Sequence, residues 1–189
     1  MQISPGLIVI VIAVALLVWI VASFNGLVAL RNRVRNAWAE IDVQLKRRHD
    51  LIPNLVESVR AYMQHERSVF ESVAQARAQA VAAGGDVLQR SAAESMLTAA
   101  LGRLFATVEN YPQLRAVENV QLLQEQLTST ENRIAFARQF YNDEVMKYNT
   151  RQSTFPRNLF AGLMGFSQAV MFTALDEDRA NMQVKVQST

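Results

Sequence analysis

The chain reads as an all-α protein: an N-terminal transmembrane helix continuing into an up-and-down four-helix bundle of long helices. Three observations predict this. Residues 1–30 carry no charged side chain, and the apolar residues beyond them recur at steps of three and four. Glycine (7) and proline (4) are scarce in 189 residues, and the alternating β-branched runs that announce strands are missing. Half of the residues are hydrophobic, enough for one sizeable core beside the anchor. The absence of cysteine excludes disulfides, thiolate metal sites, thiol catalysis and lipoprotein attachment.

The anchor spans residues 6–24, GLIVIVIAVALLVWIVASF, behind a short tail of residues 1–5. A hydrocarbon core about 30 Å thick needs about 20 apolar helical residues, and a helix satisfies its own amides there. A core helix of a globular protein would keep a polar stripe, which this run lacks. Trp19 stands near one end, where an indole suits a headgroup boundary. A secretory signal peptide is the competing reading, with Val21-Ala22-Ser23 as a passable cleavage sequence. Its basic n-region is absent, however, and the apolar run exceeds an h-region.

Orientation follows from the flanking charge. Arg31, Arg33, Arg35, Lys46, Arg47 and Arg48 stand against Glu40 and Asp42, so residues 31–48 carry +4 and the remainder of the chain −2. Lys and Arg next to a span stay cytoplasmic, which predicts an inner-membrane protein with its N-terminus outside and its C-terminal domain in the cytoplasm. A nucleic-acid patch is the other reading of this basic block. Its juxtamembrane place favours anionic lipid, at about 1 kcal/mol per basic residue, and no nucleic-acid partner is expected.

The bundle is expected over residues 25–154. Leu27, Leu30, Val34, Trp38, Ile41 and Leu45 mark one helical face that continues the anchor without a loop. Asp50 offers an N-cap and Pro53 a first-turn proline for a new helix, with a kink in one continuous helix as the alternative. Leu55, Val59, Tyr62, Val69 and Val73 carry the stripe to Gly84-Gly85-Asp86, a turn and cap. A third helix runs from about Asp86 to Val108, its apolar face built from Leu97, Leu101, Leu104, Phe105 and Val108; Tyr111-Pro112 ends it. The fourth carries Val120, Leu123, Leu127, Thr130, Ile134, Ala137, Tyr141, Val145 and Tyr148. This coiled-coil-like heptad lasts four repeats, with Phe136 and Phe140 widening it to one side. Phe155-Pro156 stops that helix.

Residues 155–175 form an apolar segment with Arg157 as their one charge, interrupted by Gly162 and Gly165; residues 176–189 are a polar tail. Two readings stand for the segment. It covers the bundle, or it presents Phe160, Met164, Phe166, Met171 and Phe172 to the membrane surface or a neighbouring subunit.

The runs NAWAEIDVQLKRRHDLIPNLVESV (36–59), ENYPQLRAVEN (109–119), TENRIAFARQFYN (130–142) and YNTRQSTFPRNLFAG (148–162) resemble the LemA family of bacterial membrane proteins, in order from about residue 25 to 186. The resemblance implies a single-pass anchor with a cytoplasmic helical bundle. It carries no catalytic residues across, and its relatives include magnetosome-membrane proteins and neighbours of membrane peptidases.

Chemistry is sparsely signalled. His65-Glu66 opens like a zinc-protease helix, but Val69 stands where the second histidine belongs. Gly84-Gly85 has no Lys-Ser/Thr partner for phosphate, no serine sits in a nucleophile elbow, and no Glu-x-x-His pair suits a di-iron site. No catalytic residue, metal or cofactor is expected. Polar residues set against the apolar stripes stand out instead, chiefly Glu131, Arg138 and Asn142. They read as a buried network fixing helix register, or as a partner-binding face. Two functions fit: a non-enzymatic, self-associating membrane scaffold that organises partners or membrane, or an accessory subunit of a membrane enzyme such as a peptidase.

Overall fold

The computed structural model describes residues 5–172. The expected tails, residues 1–4 of the N-terminal one and 176–189 of the polar one, lie outside the described residues, as do residues 173–175. The chain is all-α, with no strand among the described residues. Its helices are α1 (Pro5–Arg60), α2 (Arg67–Ala82), α3 (Val87–Val108), α4 (Glu118–Ser153) and the short α5 (Asn158–Ala161), with a 3-10 turn at Pro112–Ala116.

Helix α1 joins the apolar run to the amphipathic stripe without interruption. Residues 5–18 are all exposed, so none of the described residues covers their apolar side chains. From Leu27 the buried positions run Leu27, Val34, Ala37, Ile41, Leu45, Ile52, Leu55 and Val59, close to the 3.6-residue period; Leu30 and Trp38 are half-buried.

Pro53 starts no helix; it lies inside α1, exposed, and the continuous-helix alternative holds. The missing proline N–H leaves the carbonyl four residues back, that of His49, without its helical donor. Arg77 Nε of α2 donates to that oxygen at 2.8 Å. The break comes later than expected, at residues 61–66. There Met63 turns inward, its amide on the Val59 carbonyl at 3.1 Å, while Tyr62, expected on the stripe, is exposed. Tyr111 Oη donates to Glu66 at 3.1 Å and ties this turn to the one that follows α3.

The cap at Asp86 is as expected, its side chain accepting from Gln89 N at 2.9 Å to start α3. Helix α4 buries Val120, Leu127, Thr130, Ile134, Ala137, Tyr141, Val145 and Tyr148, following the heptad. Phe136 and Phe140 do not widen this stripe: they are 75% and 47% exposed, because α4 turns them away from the Ile134–Ala137–Tyr141 face.

The described residues form two compact units. In one, residues 40–60 of α1 join α2, α3 and residues 118–139 of α4 in a four-helix arrangement. Its core holds Ile52, Leu55, Val59, Phe70, Val73, Leu97, Leu104 and Leu127, closed by Leu114 from the 3-10 turn. The other comprises residues 5–39 of α1, residues 140–153 of α4, and the chain to Ala169.

Candidate functional site

The candidate site is a buried ionic cluster in the four-helix unit. Arg48 of α1 lies in phase with Leu45 and Ile52 on the buried stripe, and its side chain is fully enclosed. Its Nη1 donates to Glu131 Oε2 of α4 at 2.6 Å and to Thr98 Oγ1 of α3 at 3.0 Å. Its Nη2 is ion-paired with the Glu94 carboxylate of α3. Glu94, equally enclosed, faces His49 Nε2 across 2.9 Å with its other oxygen. Thr98 Oγ1 also donates to the Glu94 carbonyl at 3.1 Å. With Arg77 of α2 on the His49 carbonyl, all four helices meet at this level. A second link between α1 and α3, Asp42–Arg90 at 3.0 Å, reinforces the first.

Charges of both signs balance within the cluster, although Arg48 Nε and Arg138 Nε and Nη2 are buried without a hydrogen-bond partner among the described residues. Burial alone would raise the Glu94 carboxyl; the hydrogen bond from His49 and the charges of Arg48 and His49 outweigh it and hold the group below its ordinary value. Arg138 is held below the ordinary arginine range, first by burial and then by Arg48, with Glu131 and Glu94 opposing. Its guanidinium lies 4.6 Å from the Phe172 ring centroid, a cation–π contact. Of Arg48, Glu94 and Glu131, only Glu131 reaches water, with 39% of its side chain exposed. The fully enclosed arginine, shared by two carboxylates, cross-links α1 to α3 and α4. No group of three His, Asp or Glu side chains among the described residues has the arrangement of a metal site.

The expected site residues divide accordingly. Glu131 joins the cluster directly, Arg138 stands within electrostatic reach, and Asn142 belongs to the other unit. Arg48 is corrected: it cannot meet lipid, because it sits on the apolar face of α1 with its charge neutralised inside. Arg33, Arg35, Lys46 and Arg47 are exposed, and Arg31 is half-buried over the Phe166 ring at 5.2 Å. Glu94 and His49 were absent from the expected network. Both were legible as polar residues in or beside an apolar stripe, Glu94 three residues before Leu97 and His49 next to Arg48.

In the other unit, the segment after α4 folds back on α1 at the end of its apolar run. The Phe160 ring meets Trp19 edge-on at 6.4 Å, Arg157 lies 5.9 Å from the Trp19 centroid, and Phe166 meets Phe24 at 5.5 Å. Gly165, at φ +74°, closes the turn; the Phe166 amide then reaches the Ala161 carbonyl at 3.0 Å, as in a Schellman cap. Tyr148 Oη, Asn149 Nδ2 and Gln152 Nε2 of α4 donate to the carbonyls of Ser167, Ala169 and Phe166 at 2.8–2.9 Å. Phe166 here, and Phe172 against Arg138 in the four-helix unit, are corrected as interface residues: each is only 4% exposed. Phe160 and Met164 are half-buried and Met171 is exposed. Phe155, Leu159 and Leu163, at 74, 59 and 87% exposure, point outward although they were not among the candidate interface residues.

The family model described as the LemA family matches residues 37–187. Among curated proteins, the chain is similar to magnetosome proteins MamQ 1 and MamQ 2 of Paramagnetospirillum magneticum, each 27% identical over 84% of this chain and 68% of the relative. Magnetosome protein MamQ of Magnetospirillum gryphiswaldense is 25% identical over the same shares.

Proposed function

Because the chain belongs to the LemA family, we propose that it is a non-enzymatic, single-span membrane scaffold. It self-associates and organises partners or membrane at the cytoplasmic face of the cell (inner) membrane, with its N-terminus outside. The observation that carries this reading is the uncovered apolar end of α1, residues 5–18, in one continuous helix with the residues that carry Arg48. Such a run has no covering surface among the described residues and is long and apolar enough to cross lipid. The exposed Arg33 and Arg35, beyond the apolar run that ends at Phe24, support the orientation. The magnetosome-protein relatives support a membrane setting.

The scaffold reading is supported by surfaces rather than by a reactive centre. Phe136 and Phe140 lie one turn apart on the outer side of α4, a suitable contact for a second copy. Phe155, Leu159 and Leu163, beside the residues that dock on Trp19, suit the headgroup boundary. The absence of cysteine makes the test direct. A single cysteine at exposed Glu125 should stay unlabelled by a membrane-impermeant maleimide on intact cells and label after permeabilisation. Labelling on intact cells overturns the orientation, and release of the chain by alkaline carbonate overturns the anchor.

A further inference from the structure

A groove of about 620 Å³ runs along the anchored unit, between α1 and α4. Gly26, Ala29 and Leu30 of α1 and Met146 of α4 supply its apolar lining, while Arg33, Lys147 and Arg151 bring three cations to it. Arg33 and Arg151 are exposed, and among the described residues no ion pair engages either; Lys147 is shared with Glu144 at 2.7 Å. Gly26 faces open space: nothing lies within 4 Å of where its Cβ would stand.

From this geometry we infer that the groove holds one anionic phospholipid, resting on the reading of α1 as the membrane anchor. Position and charge select this occupant. The groove begins two residues after Phe24, the end of the apolar run, so its Gly26 side opens at the level where acyl chains give way to headgroups. Helical rise places Arg33 about 10 Å further along the axis than Gly26, comparable with the depth of a headgroup region. The phosphate meets Arg33 and Arg151, which can each offer paired N–H donors, with Lys147 as a point charge. An acyl chain follows Gly26, Ala29 and Leu30 towards exposed Ala22 and Val18, one and two turns before Gly26 on α1. Free phosphate would leave that apolar lining in water.

Native mass spectrometry of the full chain, released from nanodiscs of mixed phosphatidylglycerol and phosphatidylcholine, tests the inference. One phosphatidylglycerol per chain should survive release. Arg33→Gln/Arg151→Gln should lose it by removing the charges, and Gly26→Phe by filling the groove, while both variants keep the helical circular dichroism of the parent. Equal retention of the two lipids by the parent, or undiminished phosphatidylglycerol on both variants, overturns the inference. So does displacement of the lipid by millimolar inorganic phosphate, which would make the site a simple anion site. Carbonate extraction of the same membranes separates the two readings. A parent chain that washes off has no anchor, whereas one that stays and shows no lipid preference refutes only the groove.

Discussion

Replacing Arg48 by methionine is the most informative perturbation of the four-helix unit. The methionine stem fills much of the same volume, but Glu94 is left as an enclosed carboxylate with only His49 beside it. Removing one partner of a buried ion pair costs about 3–5 kcal/mol, because the surviving charge is neither paired nor hydrated. Glu131 adds little to that cost, since 39% of its side chain already meets water. Against a typical domain stability of about 5–15 kcal/mol the loss is large. For a unit of this size it corresponds to a fall in Tm of about 12–40 °C. Urea titration of the full chain in detergent, followed by circular dichroism, should show a lower midpoint for Arg48→Met. The double variant Arg48→Met/Glu94→Met should recover part of the loss, with a coupling of about 1–3 kcal/mol, because it removes both buried charges together. An unchanged midpoint for Arg48→Met would refute the reasoning. A double variant that loses the sum of the two single losses would show that the pair is not coupled.

Other predictions follow from the same geometry. The depressed Glu94 carboxyl contributes stability that is complete above the ordinary glutamate value of 4.5 and is lost as pH falls through its lower folded value. Thermal melts between pH 6 and pH 3 should therefore fall less steeply for Glu94→Gln, which begins less stable, than for the parent; parallel curves would contradict this. Tyr141→Ala should cost about 3–5 kcal/mol, since the ring is enclosed and meets Trp38 edge-on at 5.3 Å. An unchanged urea midpoint would place Tyr141 outside the core. Gly165→Ala puts a Cβ at φ +74°, costing about 1–2 kcal/mol. It should loosen the turn and speed tryptic cleavage after Arg157, with the parent's cleavage rate as the contrary result. A cysteine-borne fluorophore at Leu163 should be quenched by shallow lipid-borne nitroxide more than by aqueous iodide, and the reverse order would place this segment in water.

Much of this fold was legible because hydrophobic phase is a local property. The merger of anchor and bundle in α1, the Asp86 cap and the α4 heptad each depend on a few neighbouring residues. The α1–α2 break was not legible, because Ala61-Tyr62-Met63-Gln64-His65-Glu66 contains neither glycine nor proline. The turn is held by tertiary contacts of Met63 and Glu66. Pro53 misled in the opposite sense, since its disruption is offset by Arg77, 24 positions away in the chain. Arg48 was read by composition, as one of a basic run, when its phase between Leu45 and Ile52 already placed it inside. Phe136 and Phe140 were read by hydrophobicity, when their phase against Ala137 and Tyr141 placed them outside. Phase outranks composition wherever a long helix passes through a core, and both errors came from reversing that order.

The mass of the native particle bears most directly on the scaffold claim. Full-length chain extracted into lipid nanodiscs from its own membranes, without overexpression, should weigh a whole multiple of the chain mass greater than one, after subtraction of lipid and belt protein. Phe136→Ser/Phe140→Ser should reduce it towards a single chain. A single chain in stoichiometric complex with a different membrane protein, unaffected by that double substitution, would contradict the self-associating scaffold and identify an accessory subunit instead.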